Sequence, residues 1–459
     1  MIPRMPNHPQ TNSELLARSL SAVWHPCSQM KHYERYPLLP IASGSGIWLF
    51  DREKKRYLDA ISSWWVNLFG HCNPRISAAI SDQLGKLEHV MLAGFTHEPV
   101  VQLSERLRGI APKGLGHCFY ASDGASATEI ALKMSAHYWR NNGKPEKSQF
   151  ISLKSGYHGE TLGALSVTDV ALFRTAYGAL IRQQATVPSP DWRKAAAGES
   201  ASAYALRCAD ALERHLQRHH VHLAAFIIEP LVQGAAGMAM YHPIYLRRAR
   251  QLCAEYEVHL IADEIAVGMG RTGTMFACEQ APAFSTDSRD GNGITPDFLC
   301  LSKGITGGYL PLSVVMTREE IYQSFYRDEM ASGFLHSHSY TGNPLACRAA
   351  LAVLDIFAQD DVLGANLGKS AYLNRIADPL REHPSVRNWR NTGMIWAFDV
   401  DTPPRDFALR CFSLALENEL LLRPIGDTIY FMPPYIIDES EMDLLVNRTL
   451  HIIDQLNRK

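Results

Sequence analysis

A lysine stands at the end of an apolar run in Leu299-Cys-Leu-Ser-Lys-Gly-Ile-Thr-Gly-Gly308, where its ammonium would be partly desolvated. Desolvation lowers a lysine pKa and favours the neutral amine that condenses with an aldehyde. Taken alone, such a lysine is more often a solvated head on an apolar stem. A second run, Ile261-Ala-Asp-Glu-Ile-Ala-Val-Gly-Met-Gly-Arg-Thr-Gly273, closes its apolar part on Asp263. A carboxylate at the end of a buried strand is costly to ionise unless a cation faces it. Facing a protonated ring nitrogen, it would keep a pyridinium cationic as an electron sink. The glycines behind it let the chain turn closely past a bound ring, although a capping aspartate and a turn would read the same way. A third piece, Ser122-Asp-Gly-Ala-Ser-Ala-Thr-Glu129, runs into a helix, and the N–H groups of a Gly-containing helix start suit a phosphate. By itself an ordinary N-cap is the commoner explanation. The combination shifts the balance, because Asp263 and Lys303 read as ending neighbouring strands at one sheet edge. Open α/β sheets bind ligands at that carboxyl edge.

The elements that must position these residues alternate from about residue 70. Helical spacing of apolar residues predicts helices over Pro74–Leu87, Val100–Ile110, Ala125–Arg140 and Ile244–Tyr256. Short apolar runs bounded by breakers predict buried strands at Gly116–Tyr120, Gln149–Leu153, Leu223–Glu229, Val258–Asp263, Asp297–Leu301 and Leu312–Met316. Ahead of them, Ile47-Trp-Leu-Phe-Asp and Arg56-Tyr-Leu-Asp-Ala flank a charged turn and predict a β-hairpin. Pro188–Ser202 and Phe284–Thr295 read as surface insertions. After Gly342 the pattern is helical to about Leu380, then strand-like at Met394–Val400 and Thr428–Met432, with a closing helix over Glu439–Leu456. The fold class is α/β, with a smaller α+β domain. The expected division is 1–70 as an N-terminal segment, 71–342 as the large domain and 343–459 as the small one.

With 459 residues, 46% of them hydrophobic and 20% charged, the chain has the balance of a globular protein with well-filled cores. A net charge of −2 gives no field that favours nucleic acid or an anionic membrane. Nine scattered cysteines without a C-x-x-C pair predict reduced thiols in a cytoplasmic protein, neither a disulfide framework nor a zinc site. The polar, proline-broken start lacks the apolar core of a signal peptide, and no apolar run is long enough to span a bilayer. His215 and His219 stand one helical turn apart but among Arg214, Gln217 and Arg218, so a solvated helix face is favoured and no metal is expected.

Asp263-Glu264 with Gly270-Arg-Thr-Gly273, and Ser302-Lys-Gly304 with Gly307-Gly308, resemble the class III, fold-type I, pyridoxal-phosphate aminotransferases over nearly the whole chain. The resemblance implies pyridoxal 5'-phosphate as cofactor, small-molecule substrates, a large domain with a mostly parallel seven-stranded sheet, and a small domain built from both chain ends. It also implies a homodimer whose active sites are completed across the interface. Within that class the residues Trp24-His-Pro26, Ser62-Ser-Trp-Trp65, Gly156-Tyr-His-Gly159, Glu229-Pro-Leu-Val-Gln-Gly234, Gly342-Asn-Pro344 and Arg423-Pro424 look most like a branch working in biotin biosynthesis. That branch aminates 8-amino-7-oxononanoate to 7,8-diaminononanoate. Carried over, Lys303 would hold the cofactor covalently and move the proton, Asp263 would pair with the pyridine nitrogen, and Tyr157 would stack on the ring. Gly124 and Ala125 would offer N–H groups to the phosphate, and Ser339 would reach it from the partner subunit. Arg423 would hold the keto substrate's carboxylate with its bidentate fork. Trp64 would line the substrate channel, while His338 receives no role.

Three positions depart from the branch pattern: Cys27 stands where users of adenosylmethionine carry tyrosine, Ala125 where serine is common, and Glu160 where aspartate is common. His336–Gly342 and Lys303–Pro311 look more like relatives that take lysine as donor, so adenosylmethionine and lysine both stay open. The rival enzymes are ω-amino acid, ornithine-type and 4-aminobutyrate-type aminotransferases and an aminomutase of the same fold, against which Trp64-Trp65 and Arg423-Pro424 argue. A cofactor-binding protein without turnover would be expected to lack Lys303 or Asp263. A dehydrogenase would need a G-x-G-x-x-G after an early strand, which is absent.

Overall fold

The computed structural model describes residues 11–36, 38–281, 293–401, 403 and 405–457. Its centre is a seven-stranded sheet in the order Leu115–Ala121, Ser313–Arg318, Phe298–Leu301, His259–Asp263, Leu223–Ile228, Gln149–Leu153, Ala185–Val187. Ser313–Arg318 is antiparallel to both neighbours, and the remaining pairs along the order are parallel. Leu223–Ile228 and His259–Asp263 are buried along their whole length, which is why their sequences are apolar without alternation. Helices cover both faces, among them Gly124–Asn141 and Ile244–Glu255. The predicted strands agree to within one or two residues at each end.

One sheet edge collects the ends that matter. Ala121 leads into Ser122-Asp123-Gly124, Ile228 into Glu229, Asp263 closes its own strand, and Leu301 leads into Ser302-Lys303. Pairing of Asp263 with Cys300 sets the two carboxyl ends side by side.

The chain ends share a second sheet. The hairpin Trp48–Asp51 and Arg56–Asp59 forms as the sequence predicts, joined by Ile41–Ser45 on one side. On the other side Leu420–Leu421 pairs in parallel, Leu420 with Leu58 and Leu421 with Asp59. Val386–Thr392, Ile395–Val400 and Thr428–Phe431 form a three-stranded antiparallel sheet, and the closing helix Glu439–Asn457 packs on the helices Val362–Ile376 and Phe407–Glu417.

Several elements were not foreseen. Val386–Thr392 carries two arginines and two asparagines, so it shows no apolar alternation, and it is held as a strand by Arg390, whose buried guanidinium pairs with Asp399 at 2.8 Å. The helix Ala201–His219 begins at the N-cap Ser200, so the first expected insertion ends just as an amphipathic helix starts. Most of the second insertion, Phe284–Thr295, lies outside the described residues.

Candidate active site

A cavity of about 650 Å³ opens at the carboxyl edge of the large sheet. Its walls include Lys303, Asp263, Glu229, Tyr157, Gly124 and Trp65. Lys303 begins a 3₁₀ turn with a left-handed φ of +46°, a conformation that L-residues rarely adopt outside special sites. Ser302 anchors that turn by donating to the Leu312 carbonyl at 2.8 Å. Among the described residues nothing accepts a hydrogen bond from the lysine amine, which lies 5.3 Å from the Trp65 ring centroid. Burial pushes the Lys303 pKa below the usual lysine value, while the charges of Asp263 and Glu229 hold it up. A larger fraction of neutral amine is what nucleophilic attack on a carbonyl requires.

Asp263 is buried and fixed from two sides. The Ile265 amide donates to Oδ1 at 3.1 Å, and His158 Nδ1–H donates to Oδ2 at 2.7 Å. His158 is itself held through its backbone, its N–H donating to Thr168 Oγ1 and its carbonyl accepting from Thr128 Oγ1. Glu229 accepts the amides of Tyr157 at 3.0 Å and Gly234 at 2.9 Å. Burial raises its pKa to about 7 against the pull of those two N–H groups. The carboxylate thus ties the Gly156–Gly159 loop to the strand that carries it.

The opposite wall suits an anion. Asp123 caps the helix Gly124–Asn141 by accepting from Ser126 N–H at 2.9 Å. The amides of Gly124 and Ala125, in the first helical turn, find no acceptor among the described residues, as helix starts leave them. A Cβ at Gly124 would lie 2.9 Å from Ile265 Cγ2, and one at Gly159, where φ is +121°, would lie 2.5 Å from Ala125 Cβ. The wall is therefore built for close approach of backbone.

The fourth side is aromatic. Ser62–Trp65 forms a turn in which all four residues have positive φ, at a cost of roughly 1–2 kcal/mol per residue for L-amino acids. Its supports include Arg271, buried, whose guanidinium donates to Ser62 Oγ at 2.9 Å, Asn67 O at 2.9 Å and Pro433 O at 2.6 Å. Trp65 lines the cavity and donates its indole N–H to Tyr430 OH at 3.1 Å. Trp64 lies outside the lining and packs beneath Arg423, whose guanidinium carbon is 4.4 Å from its ring centroid. Arg423 is near enough to Tyr430 to act on its hydroxyl, so the two tryptophans and this arginine form one connected group.

Of the residues singled out from sequence, Lys303, Asp263, Tyr157, Gly124 and Ala125 meet in the cavity. Trp64 and Arg423 sit together beside it, and Ser339 is exposed on a turn away from this chain's own cavity. Tyr157 is packed edge-on against Phe173 at 5.5 Å, and its hydroxyl donates to Glu160 at 2.9 Å. Cys27 is exposed and lies near the Tyr157 phenol. Sequence reasoning missed His158, Glu229 and Trp65 as parts of the wall. His158 and Trp65 stand next to the singled-out Tyr157 and Trp64, and Glu229 opens Glu229–Gly234, one of the runs that carry the family resemblance. Among the described residues no group of three or more His, Cys, Asp or Glu is arranged to hold a metal ion, and no helix is long and apolar enough to cross a membrane.

The model of the family "Aminotransferase class-III" matches residues 29–453. An adenosylmethionine-8-amino-7-oxononanoate aminotransferase of Helicobacter pylori is 45% identical over 97% of this chain and 98% of its own. One of Geobacter sulfurreducens is 40% identical over 94% and 96%. The crystal structure of the enzyme of that name from Methanocaldococcus jannaschii superimposes with a TM-score of 0.89 at 34% identity, covering 97% of this chain and all of the other. A PLP-bound amine transaminase from an uncultivated Pseudomonas species gives a TM-score of 0.88 at 31% identity, over 95% of this chain and 99% of its own.

Proposed function

Because this chain belongs to the class III aminotransferases, we propose that it moves the amino group of adenosylmethionine onto 8-amino-7-oxononanoate, giving 7,8-diaminononanoate for biotin synthesis. Its cofactor is pyridoxal phosphate, and the cavity fits that group: a buried amine without an acceptor, a fixed carboxylate, and two free amides at a helix start. When bound, the cofactor supplies an aldehyde for the amine and a ring that draws electrons from the reacting carbon. The observation that carries the substrate assignment is Arg423 stacked on Trp64, next to the Trp65 that faces Lys303.

Lys303 would hold the cofactor covalently and, once freed, its Nζ would carry the proton from the substrate's reacting carbon to the cofactor carbon that had been the aldehyde. Asp263, aimed by His158, would keep the ring nitrogen protonated. Tyr157 would pack against the ring, and the Gly124 and Ala125 amides would bind the phosphate. Arg423 grips the carboxylate of the keto acceptor in a fork. The sulfonium of adenosylmethionine would lie against aromatic faces that line the cavity, such as Trp65 and Tyr157, where cation–π attraction favours it.

A homodimer belongs to this reading, with Ser339 of the partner subunit completing the phosphate site. The exposed Tyr326, Met330, Leu335 and Tyr340, each more than 60% accessible and all in the chain segment that carries Ser339, support a covered surface there. A cytoplasmic location also belongs to this reading, since nine free thiols suit a reducing compartment. Treating 71–342 as the cofactor-binding domain and the chain ends as one smaller unit is supported by the pairing of Leu58 with Leu420.

The test is a product assay with adenosylmethionine and 8-amino-7-oxononanoate, read by mass. Formation of 7,8-diaminononanoate is expected. Its absence, with turnover of ω-amino acids instead, would leave an aminotransferase of other specificity. Formation only when lysine replaces adenosylmethionine would change the donor and keep the product, an outcome that Cys27 makes worth measuring.

A further inference from the structure

Four consecutive residues with side chains, Ser62, Ser63, Trp64 and Trp65, hold left-handed φ between 47° and 73°. Such a run persists only where its surroundings over-determine it. One restraint is Asp59, fully buried at the end of the strand Arg56–Asp59. Its Oδ1 accepts the amides of Ser63 at 2.9 Å and Ile61 at 3.3 Å. Its Oδ2 accepts the Ser63 hydroxyl at 2.7 Å and His71 Nε2–H at 3.0 Å. His71 is oriented in turn by Asn67, which donates to its Nδ1 at 3.1 Å. Four donors on two oxygens require a carboxylate, since an amide of the same shape would turn an N–H₂ group toward two of them.

The two tryptophans depend on this turn to different degrees. Trp65 has an anchor of its own in Tyr430 and the cavity wall. Trp64 is 41% exposed, and among the described residues its indole N–H has no acceptor. Its neighbour is Arg423, which is brought alongside because Leu421 pairs with Asp59 in the parallel strand just before it. Asp59 therefore fixes at once the strand end beside Arg423 and the turn that places the ring beneath it.

We propose that Asp59 is a positioning residue for acceptor specificity: its carboxylate locks the left-handed turn and, through Trp64, sets the place of the Arg423 guanidinium. It touches neither substrate nor cofactor. The inference rests on the reading of Arg423 as the carboxylate clamp.

The test uses the holoenzyme with Asp59→Asn, Arg423→Ala and the double variant. Asp59→Asn is expected to raise KM for 8-amino-7-oxononanoate roughly tenfold while the donor half-reaction stays within about threefold. In the Arg423→Ala background the same change should cost almost nothing more, because it acts through Arg423. In the cofactor-free protein, Asp59→Asn should alter the tryptophan emission that Trp64→Phe removes. Equal losses in both half-reactions, effects that multiply in the double variant, or an unaltered Trp64 emission would each overturn the proposal. If Arg423→Ala itself leaves the acceptor KM unchanged, the clamp reading fails, and the Trp64 emission still decides whether Asp59 holds the ring. Should Asp59→Asn not fold, Ser63→Ala removes one of the four donors and is expected to show the same split on a smaller scale.

Discussion

His158 Nδ1–H donates to Asp263 Oδ2 at 2.7 Å in the interior of the large domain, with His158 2% and Asp263 4% exposed. A buried carboxylate proposed to face a ring nitrogen has few orientations open to it once a second donor, the Ile265 amide, holds its other oxygen. Replacing His158 with phenylalanine frees Oδ2 to rotate and leaves it undersatisfied. The expected loss in the single-turnover rate is roughly ten- to a hundredfold, by analogy with the removal of outer-shell partners of metal ligands. His158→Gln, which can still donate, should lose less. Equal rates for the two variants would remove the orienting role.

Gly124→Ala should weaken cofactor binding, because the new methyl would stand 2.9 Å from Ile265 Cγ2 and displace the wall that presents two amides. Overpacking of this kind costs about 1–3 kcal/mol, equivalent to roughly five- to 150-fold in affinity. Titration of the cofactor-free protein with pyridoxal phosphate, followed by absorbance, measures it. An unchanged affinity would take the phosphate away from this helix start.

Glu229 gives a pH dependence with a definite sign. Its folded pKa is about 7, above the ordinary 4.5, so the folded state binds this proton more tightly than the unfolded chain does. The associated stability is fully present below pH 4.5 and is lost as pH rises through 7. Glu264, raised to about 7 by burial, acts in the same direction. His259, lowered to about 4 by burial, acts in the opposite one, its contribution being present above 6.5 and lost as pH falls through 4. Glu229→Gln cannot titrate, so its stability relative to the parent should rise between about pH 5 and 8, by at most a few kcal/mol at about 1.4 kcal/mol per tenfold in proton affinity. Urea denaturation of the cofactor-free proteins at several pH values checks this, and a gap that stays constant would contradict it.

The buried strands of the large sheet were legible because residues such as Leu223–Ile228 carry no polar side at all. Lys303 and Asp263 were legible for the same reason, being charges set against apolar runs. What stayed hidden was non-local. Val386–Thr392 becomes a strand through the buried Arg390–Asp399 pair, a partnership that no local pattern announces. Trp65, not Trp64, lines the cavity beside Lys303 because the chain turns left-handed at Ser62–Trp65, and four L-residues in that conformation give no compositional sign. His158 is one position from the singled-out Tyr157, yet its role depends on Asp263, brought within 2.7 Å only by the order of the strands.

The central claim is amino transfer through Lys303, and a single half-reaction tests it most directly. The purified yellow protein, mixed with adenosylmethionine and no acceptor, should lose its yellow absorbance and release one deaminated product per active site. Lys303→Ala should show neither change. Loss of colour in Lys303→Ala at the parent rate, or a parent protein unmoved by adenosylmethionine and by lysine alike, would contradict the account.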